Sequence, residues 1–280
     1  MKGDILMALV PPLSQHDATI IAAGAITSYN RACKVVPLTT QKYTGEILGQ
    51  GSTVKVVKLA DVALADYDPA KGLTYGKLAE SNVMLTVDQA KSFAFSVDDT
   101  AVMAGAGSYI AAASDRAGRV VAETVDAFVA GVWAAGAGKV LPDAALADAG
   151  AAYEAILSIR TALADTGSHI SVIVPSAVYA KLLADNRFVG AGTDGTVLRN
   201  GFVGMAAGVS IYEGNSIAPA TGKYTILATS DENAIATAMT INKVQVVARE
   251  AFFDQAVKGL AVYGAKVIRS EAVAKLLVTL

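Results

Sequence analysis

The chain has few residues whose type and spacing could carry out catalysis. Its two histidines, His16 and His169, lie far apart, and neither belongs to the closely spaced pair that a two-histidine metal site would use. Cys33 is the only cysteine, so the sequence holds neither a disulfide framework nor a cysteine-based metal cluster. No GxSxG motif marks a nucleophilic serine. We therefore expect no catalytic residues, no metal site and no cofactor.

One glycine-rich segment, GAGTDG at 190–195, matches the GxGxxG pattern of dinucleotide sites. That pattern binds a pyrophosphate only when it follows a strand and opens a helix. Here it follows a predicted short helix, and Asp194 would bring negative charge towards the phosphates. The adjacent acids Asp98–Asp99 and Asp231–Glu232 are explained by a helix start and a turn. Neither pattern favours an active site.

Composition excludes further classes of function. The 280 residues carry a formal charge of −2 and contain no basic block, which disfavours sequence-specific nucleic-acid binding. The longest apolar segment contains Glu123 and Asp126, so no membrane span is predicted. The first residues, with Asp4 and the pair Pro11–Pro12, make a poor signal peptide. We expect a soluble chain that is made in a cytoplasm.

The most distinctive predicted element is a long hairpin arm. Alternating runs at 53–64 and 82–97 predict two strands, and the polar segment DYDPAKGLTYGKL at 66–78 lies between them as a tip. A two-stranded ribbon of this length is only marginally stable by itself. We therefore predict that its strands have no surface of their own to cover and need another molecule.

The remaining pattern predicts a mixed α+β chain. A short helix over 20–29 belongs to an N-terminal arm outside the core, and Asp98 or Asp99 caps a first short helix. A long amphipathic helix runs from Ser114 to Ala135, with Trp133 as a packing residue and Asp126 on its polar side. An αβα unit around the apolar strand 170–174 and several strands after 209 complete the chain.

The order of these elements resembles the major capsid proteins of tailed bacteriophages, which have the Hong Kong 97-type fold. The stretches 201–218 and 226–277 are similar to the C-terminal part of such proteins, and FAFSVDDTAV is similar to the return of their hairpin arm. The matching residues of the last stretch are Ala234, Ile235, Arg249, Glu250, Asp254, Gly259, Tyr263, Gly264, Ala265, Lys266, Val267, Arg269 and Glu271.

The resemblance implies a division of the chain. Residues 1–44 would form an N-terminal arm, and 45–98 the extended loop, a β-hairpin arm. Residues 99–140 would form the peripheral domain with its spine helix, and 141–225 the axial domain. Residues 226–280 would supply strands that return to the peripheral domain.

The resemblance also implies a function and partners. The chain would be a structural coat protein, not an enzyme, that self-assembles into an icosahedral shell of pentamers and hexamers around double-stranded DNA. A separate scaffolding protein and a portal would take part in assembly in the bacterial cytoplasm. A decoration protein is left open, and no membrane is involved. Residues of the arm tip would contact a neighbouring subunit: Asp66, Tyr67, Lys71, Tyr75 and Lys77.

Three points remain open. Some family members form Lys–Asn cross-links, for which Lys71 or Lys77 could supply the amine, but no partner asparagine can be assigned. An encapsulin-like nanocompartment shell that packages a cargo enzyme would share the same fold. A soluble α+β enzyme with a glycine-rich ligand loop is the alternative of another class.

Overall fold

The computed structural model describes residues 15–46, 49–59, 80–98, 107–167, 169–185, 202–219, 221–248 and 254–280. The elements in chain order are α1 (Gln15–Ala32), β1 (Thr53–Leu59), β2 (Glu80–Thr86), β3 (Gln89–Asp98), α2 (Gly107–Gly136), β4 (Lys139–Val140), β5 (Ala144–Ala145), α3 (Ala149–Leu163), β6 (Ile170–Val174), α4 (Ser176–Leu183), β7 (Phe202–Ala206), β8 (Val209–Glu213), β9 (Lys223–Thr229), β10 (Ile235–Ala248), β11 (Asp254–Val267) and β12 (Val273–Thr279). Short 3₁₀ turns span Val36–Leu38, Thr44–Glu46, Glu232–Ala234 and Ser270–Ala272.

The long helix α2 has 30 residues and is therefore about 45 Å long. It begins earlier than the predicted Ser114, and it ends at Gly136, where glycine favours termination. Trp133 is fully buried, and its indole N–H donates to the carbonyl oxygen of Ala228 in β9 at 3.3 Å. The packing role predicted for Trp133 is confirmed. Trp133 belongs to a buried cluster that joins α2 to strands of the three-stranded and the seven-stranded sheets described below.

Asp126 does not lie on a polar side of α2 as the sequence pattern predicted. It is 5% exposed, and its carboxylate accepts hydrogen bonds from the backbone N–H groups of Lys34, Val35 and Val36 at 2.7, 3.2 and 3.2 Å. Burial raises the pKa of Asp126, although these hydrogen bonds and the Lys34 charge act in the opposite direction. The prediction failed because a buried carboxylate that binds backbone N–H groups looks, in sequence, like a solvated one.

The helix α1 belongs to the core and not to a free arm. It packs along α2, and its residues Ala25 and Tyr29 are buried, as is Cys33 directly after it. At Gly118 of α2 a Cβ atom would stand against the carbonyl oxygen of Ala25, so only glycine permits this close approach. Burial and the nearby charge of Asp126 raise the pKa of the Cys33 thiol to about 12, consistent with an inert packing residue.

A three-stranded antiparallel sheet with the order β10-β11-β3 lies beside these helices. Among the strands predicted after 209, β10 is one 14-residue strand with an irregularity in register between Ile241 and Lys243. The predicted continuous strand 82–97 is instead divided into β2 and β3 near Val87 and Asp88. Asp98 ends β3, whereas the sequence placed it at the start of a helix.

Different elements pack on the two faces of this sheet. Ala261 and Tyr263 of β11 face α2, where the Tyr263 ring packs edge-on against Phe128 with 5.3 Å between centroids. On the other face, here called the outer face, Val262 packs with Ala236 and Ala238 against the hairpin β1–β2. The hairpin contributes the buried side chains Val54, Val56, Leu85 and Val87.

The hairpin β1–β2, here called the arm base, therefore covers a surface of its own subunit. This corrects the prediction that the strands of the arm have no such surface. At Gly264 of β11 the hairpin comes so close that a Cβ atom would lie 2.9 Å from Cα of Val87 and nearer still to the carbonyl oxygen of Thr86. The alternating valines that predicted the strands also show which face is buried. The sequence could not show that the buried face meets the same chain.

Gly264→Ala is expected to destabilise the subunit by about 1–3 kcal/mol, because the added methyl group must displace backbone and not a flexible side chain. Urea unfolding measures this loss, and faster proteolysis within 60–79 would report a loosened arm base. Gly131→Ala is the matched control, since no atom lies within 4 Å of its added methyl group. It should be neutral or stabilise by up to about 1 kcal/mol. Equal effects of the two changes would contradict the close approach.

A second sheet of seven strands has the order β4-β12-β9-β6-β8-β7, with β5 also paired to β12. The predicted αβα unit is confirmed as α3, the fully buried strand β6, and α4. Asp148 caps α3 by accepting from the N–H of Ala151 at 2.8 Å. The last strand, β12, lies in this sheet, whereas β10 and β11 lie in the other one, so residues 226–280 do not all return to the same layer.

Candidate assembly interface

The arm-tip residues predicted to contact a neighbour lie outside the described residues. They are Asp66, Tyr67, Lys71, Tyr75 and Lys77, all within the segment 60–79. The glycine-rich segment GAGTDG also lies outside them. Of the residues weighed for chemistry, His169 is exposed before β6, and Asp231 accepts from the N–H of Asn233 in a turn, as predicted. Within the described ranges, no three His, Cys, Asp or Glu side chains group to hold a metal ion.

The outer face of the three-stranded sheet continues beyond the arm base. Strand pairing places Leu260 beside Ser92, Lys258 beside Ala94 and Gln245, and Ala256 beside Ser96 and Val247. These eight residues define what we call the open face: Ser92, Ala94, Ser96, Gln245, Val247, Ala256, Lys258 and Leu260.

The open face carries one charged residue, Lys258, among small, polar and apolar ones. Ser92, Ala94 and Ser96 are exposed small residues, and Val247 and Leu260 are 42% and 36% exposed. The neighbouring inward residues Val257 and Gly259 are buried, so the strands alternate as a half-buried sheet does. The same sheet face is thus covered by the arm base at one end and exposed at the other.

The arm base also presents an outward surface. On the side away from the sheet, Val57 and Met84 are 50% and 54% exposed, and Lys55 and Asn82 are exposed beside them. The pairing places Lys55 directly opposite Met84 and Val57 opposite Asn82. This surface combines apolar and polar groups, which is the composition of reversible protein contacts.

An ion pair ties the arm to the body of the subunit. Lys58 Nζ at the end of the described β1 lies 2.6 Å from Oε1 of Glu271, in the turn between β11 and β12. This contact lowers the pKa of Glu271. Both side chains are partly exposed, so the pair contributes little stability.

Lys58→Glu and Glu271→Lys are each expected to lower the free energy of unfolding by about 1 kcal/mol or less, and the double swap should restore it. Since the pKa of Glu271 is lowered on folding, the contribution of the pair exists above the unfolded pKa and is lost as pH falls through the folded one. A double-mutant cycle in urea at pH 7 and at pH 3 measures this. If the loss of unfolding free energy in the double variant equals the sum of the losses in the two single variants, the contact is contradicted.

Within the described residues, no helix is both long and apolar enough to cross a bilayer. Sequence reasoning missed the open face because exposure at one end of a strand and cover at the other leave the same alternating pattern. Asp126 was missed as well, and so was the burial of α1, which the sequence placed in an arm outside the core.

Comparison with known proteins gives the family. The family model described as phage capsid protein matches residues 82–276. A solved structure from Mycobacterium phage Che8 is similar with a TM-score of 0.67 and 26% identity, over 87% of this chain and 90% of that one. No protein with a curated description matches the sequence.

Two further solved structures share the fold at lower identity. The capsid of Cyanophage P-SCSP1u gives a TM-score of 0.65 at 14% identity and covers 86% of each chain. A virus-like particle from Pyrococcus furiosus gives 0.58 at 15% identity, over 92% of this chain and 98% of that one. The family match spans more than half of the chain, and its solved relatives have the same α+β architecture. The chain belongs to the phage capsid protein family and is a structural major capsid protein of the Hong Kong 97-type fold.

Proposed function

We propose that the chain assembles with copies of itself into an icosahedral shell of pentamers and hexamers. The family match over 82–276 carries this proposal. Closed rings arise when one surface of a subunit binds a different surface of the next. The outward side of the arm base and the open face are two different surfaces of suitable composition, and each subunit carries both.

The arm is proposed to reach across the contact between neighbours. Its base is held on its own sheet by Val54, Val56, Leu85 and Val87, so the tip extends from a fixed position. Asp66, Tyr67, Lys71, Tyr75 and Lys77 would then contact the next subunit, with its open face as the acceptor. Contacts of this kind are individually weak, and a closed shell gains stability from their number.

The contents and partners of the shell follow from the same proposal. The shell would enclose double-stranded DNA without sequence preference, which suits a chain with a formal charge of −2. A separate scaffolding protein and a portal would act during assembly in the host cytoplasm. The division into an N-terminal arm, extended loop, peripheral domain and axial domain stays a prediction. Two of its elements are placed differently in the structure: α1 packs in the core, and β12 lies in the seven-stranded sheet.

An encapsulin-like compartment is a weaker candidate. The likeness to the Pyrococcus furiosus particle, at 15% identity, concerns the fold and does not favour a cargo. Expression of the chain, size-exclusion chromatography and negative-stain microscopy test the proposal. Hollow shells, or rings of five and six subunits, support it, and a stable monomer contradicts it. DNA in particles from infected cells would favour a coat protein, whereas a packaged enzyme would favour the compartment.

A further inference from the structure

A cleft of about 520 Å³ lies on the helix side of the three-stranded sheet, away from the arm. Its walls come from the end of α1, the middle of α2 and the segment after β8. The polar and charged residues that line it are Ser28, Arg31, Lys34, Arg119, Glu123, Asp126, Asn215 and Ser216. None of these residues belongs to the arm base or to the open face, so the proposed contacts between subunits do not use the cleft.

Three cations face this cleft. Within the described part of the chain, the side chains of Arg31, Lys34 and Arg119 make no hydrogen bond and no ion pair. Like charges around one concavity repel one another, and the acids that line the same cleft, Glu123 and Asp126, offset two of the three charges. Arg31 is in the last turn of α1, where a positive charge is favourable, but Arg119 lies in the interior of α2, where no helix end accounts for it.

The two acids of the cleft have different roles. Asp126 is buried and its oxygens are engaged by the backbone N–H groups of residues 34–36, so it forms part of the floor. Glu123 is exposed, and no described residue pairs with it. The accessible lining is therefore three cations and one carboxylate. With Asp126 included, the lining as a whole keeps an excess of one positive charge, which favours a ligand that carries carboxylates.

We propose that this cleft binds an acidic peptide segment of a partner protein during shell assembly, a proposal that rests on the assembly function above. Carboxylates of the peptide would accept bidentate hydrogen bonds from Arg31 and Arg119. The Ser216 hydroxyl on the opposite wall offers a polar contact for the peptide backbone. The concave shape favours a peptide over duplex DNA, because the side chains of a peptide can enter a cleft that is lined by α1, α2 and the segment after β8.

Fluorescence anisotropy of the full-length, unassembled subunit tests this binding. The probe is a fluorescein-labelled peptide of glutamate, alanine and leucine, and the same peptide with lysine for glutamate is the charge control. Arg31→Gln/Arg119→Gln should weaken binding of the acidic probe by about tenfold or more. Glu123→Gln should tighten it by about twofold, because a repelling carboxylate is removed.

The matched control is Lys91→Gln/Lys266→Gln, which removes two exposed cations that do not line the cleft. It should change the affinity by less than about twofold. Equal weakening by this control, unchanged binding after Arg31→Gln/Arg119→Gln, or weaker binding after Glu123→Gln would each overturn the proposal. So would a duplex oligonucleotide that binds more tightly than the acidic peptide and depends on the same arginines.

Two measurements keep the outcomes separate. The thermal midpoint of each variant shows whether the subunit remains folded, and Glu123→Gln tests the cleft with a gain of affinity that misfolding cannot produce. Microscopy of shells made by the wild-type chain tests the assembly function independently. Peptide binding that fails while shells still form would overturn the cleft proposal alone, whereas an absence of shells would contradict the proposed function.

Discussion

Asp126→Ala is expected to lower the free energy of unfolding by about 2–3 kcal/mol. Three backbone N–H groups would lose the carboxylate that they bind in the structure, and a buried donor without an acceptor costs about 1–3 kcal/mol. Relief of the buried charge offsets part of that sum. Urea unfolding at pH 7 measures the loss. Because these hydrogen bonds hold residues 34–36, which directly follow α1, the variant should also expose this segment to proteolysis.

Asp126→Asn is the matched control, because it keeps the shape but places an amide donor near the backbone donors. Asp126→Asn should lower the free energy of unfolding by less than Asp126→Ala does. Burial raises the pKa of Asp126 on folding, so the folded state binds the proton more tightly than the unfolded state. The stability of the wild type relative to the asparagine variant should therefore rise as pH falls through the folded pKa. A relative stability that falls on acidification would show that the hydrogen bonds outweigh burial.

Periodicity in the sequence is sufficient to predict most elements. The spine helix, the apolar strand at 170–174 and the turn at Asp231 were predicted because each depends on local pattern or turn chemistry. The helix α2 starts at Gly107 and not at the predicted Ser114, because the alanines before Ser114 continue the helix. The fold class followed from the order of elements together with the family resemblance.

The errors share a different cause, which is the path of the chain in three dimensions. Local alternation could not separate β2 from β3, since the break at Val87 and Asp88 marks a change of sheet and not of pattern. The same limit applies to Asp126, whose partners lie about 90 residues earlier in the chain. The open face could not be predicted either, because its exposure depends on where the arm base stops.

The arm base changes what the arm has to do. Its buried side packs on its own subunit, and Lys58 forms an ion pair with Glu271 of the body. The segment beyond it can then be altered without removing the core contact. A change within residues 60–79 therefore tests the proposed role of the tip in assembly while the packing of the base is kept.

Deletion of residues 68–76 is expected to leave a folded subunit that does not assemble closed shells. The deletion spares Val54, Val56, Leu85 and Val87, so the midpoint of urea unfolding should stay close to that of the wild type. Assembly should fail because the proposed contacts with the open face of the neighbour are lost and a shell multiplies each lost contact by its symmetry.

Sedimentation and negative-stain microscopy distinguish the outcomes of this deletion. A control that replaces Lys71 and Lys77 by glutamine keeps the length of the arm and removes only two charges, and exposed ion pairs contribute about 0–1 kcal/mol each. The control should therefore still form shells, with more dependence on salt. If the deleted chain forms normal particles, the arm tip is dispensable and the contacts between subunits lie elsewhere. If it fails while the glutamine control assembles, reach and buried area, and not charge, are what the arm supplies.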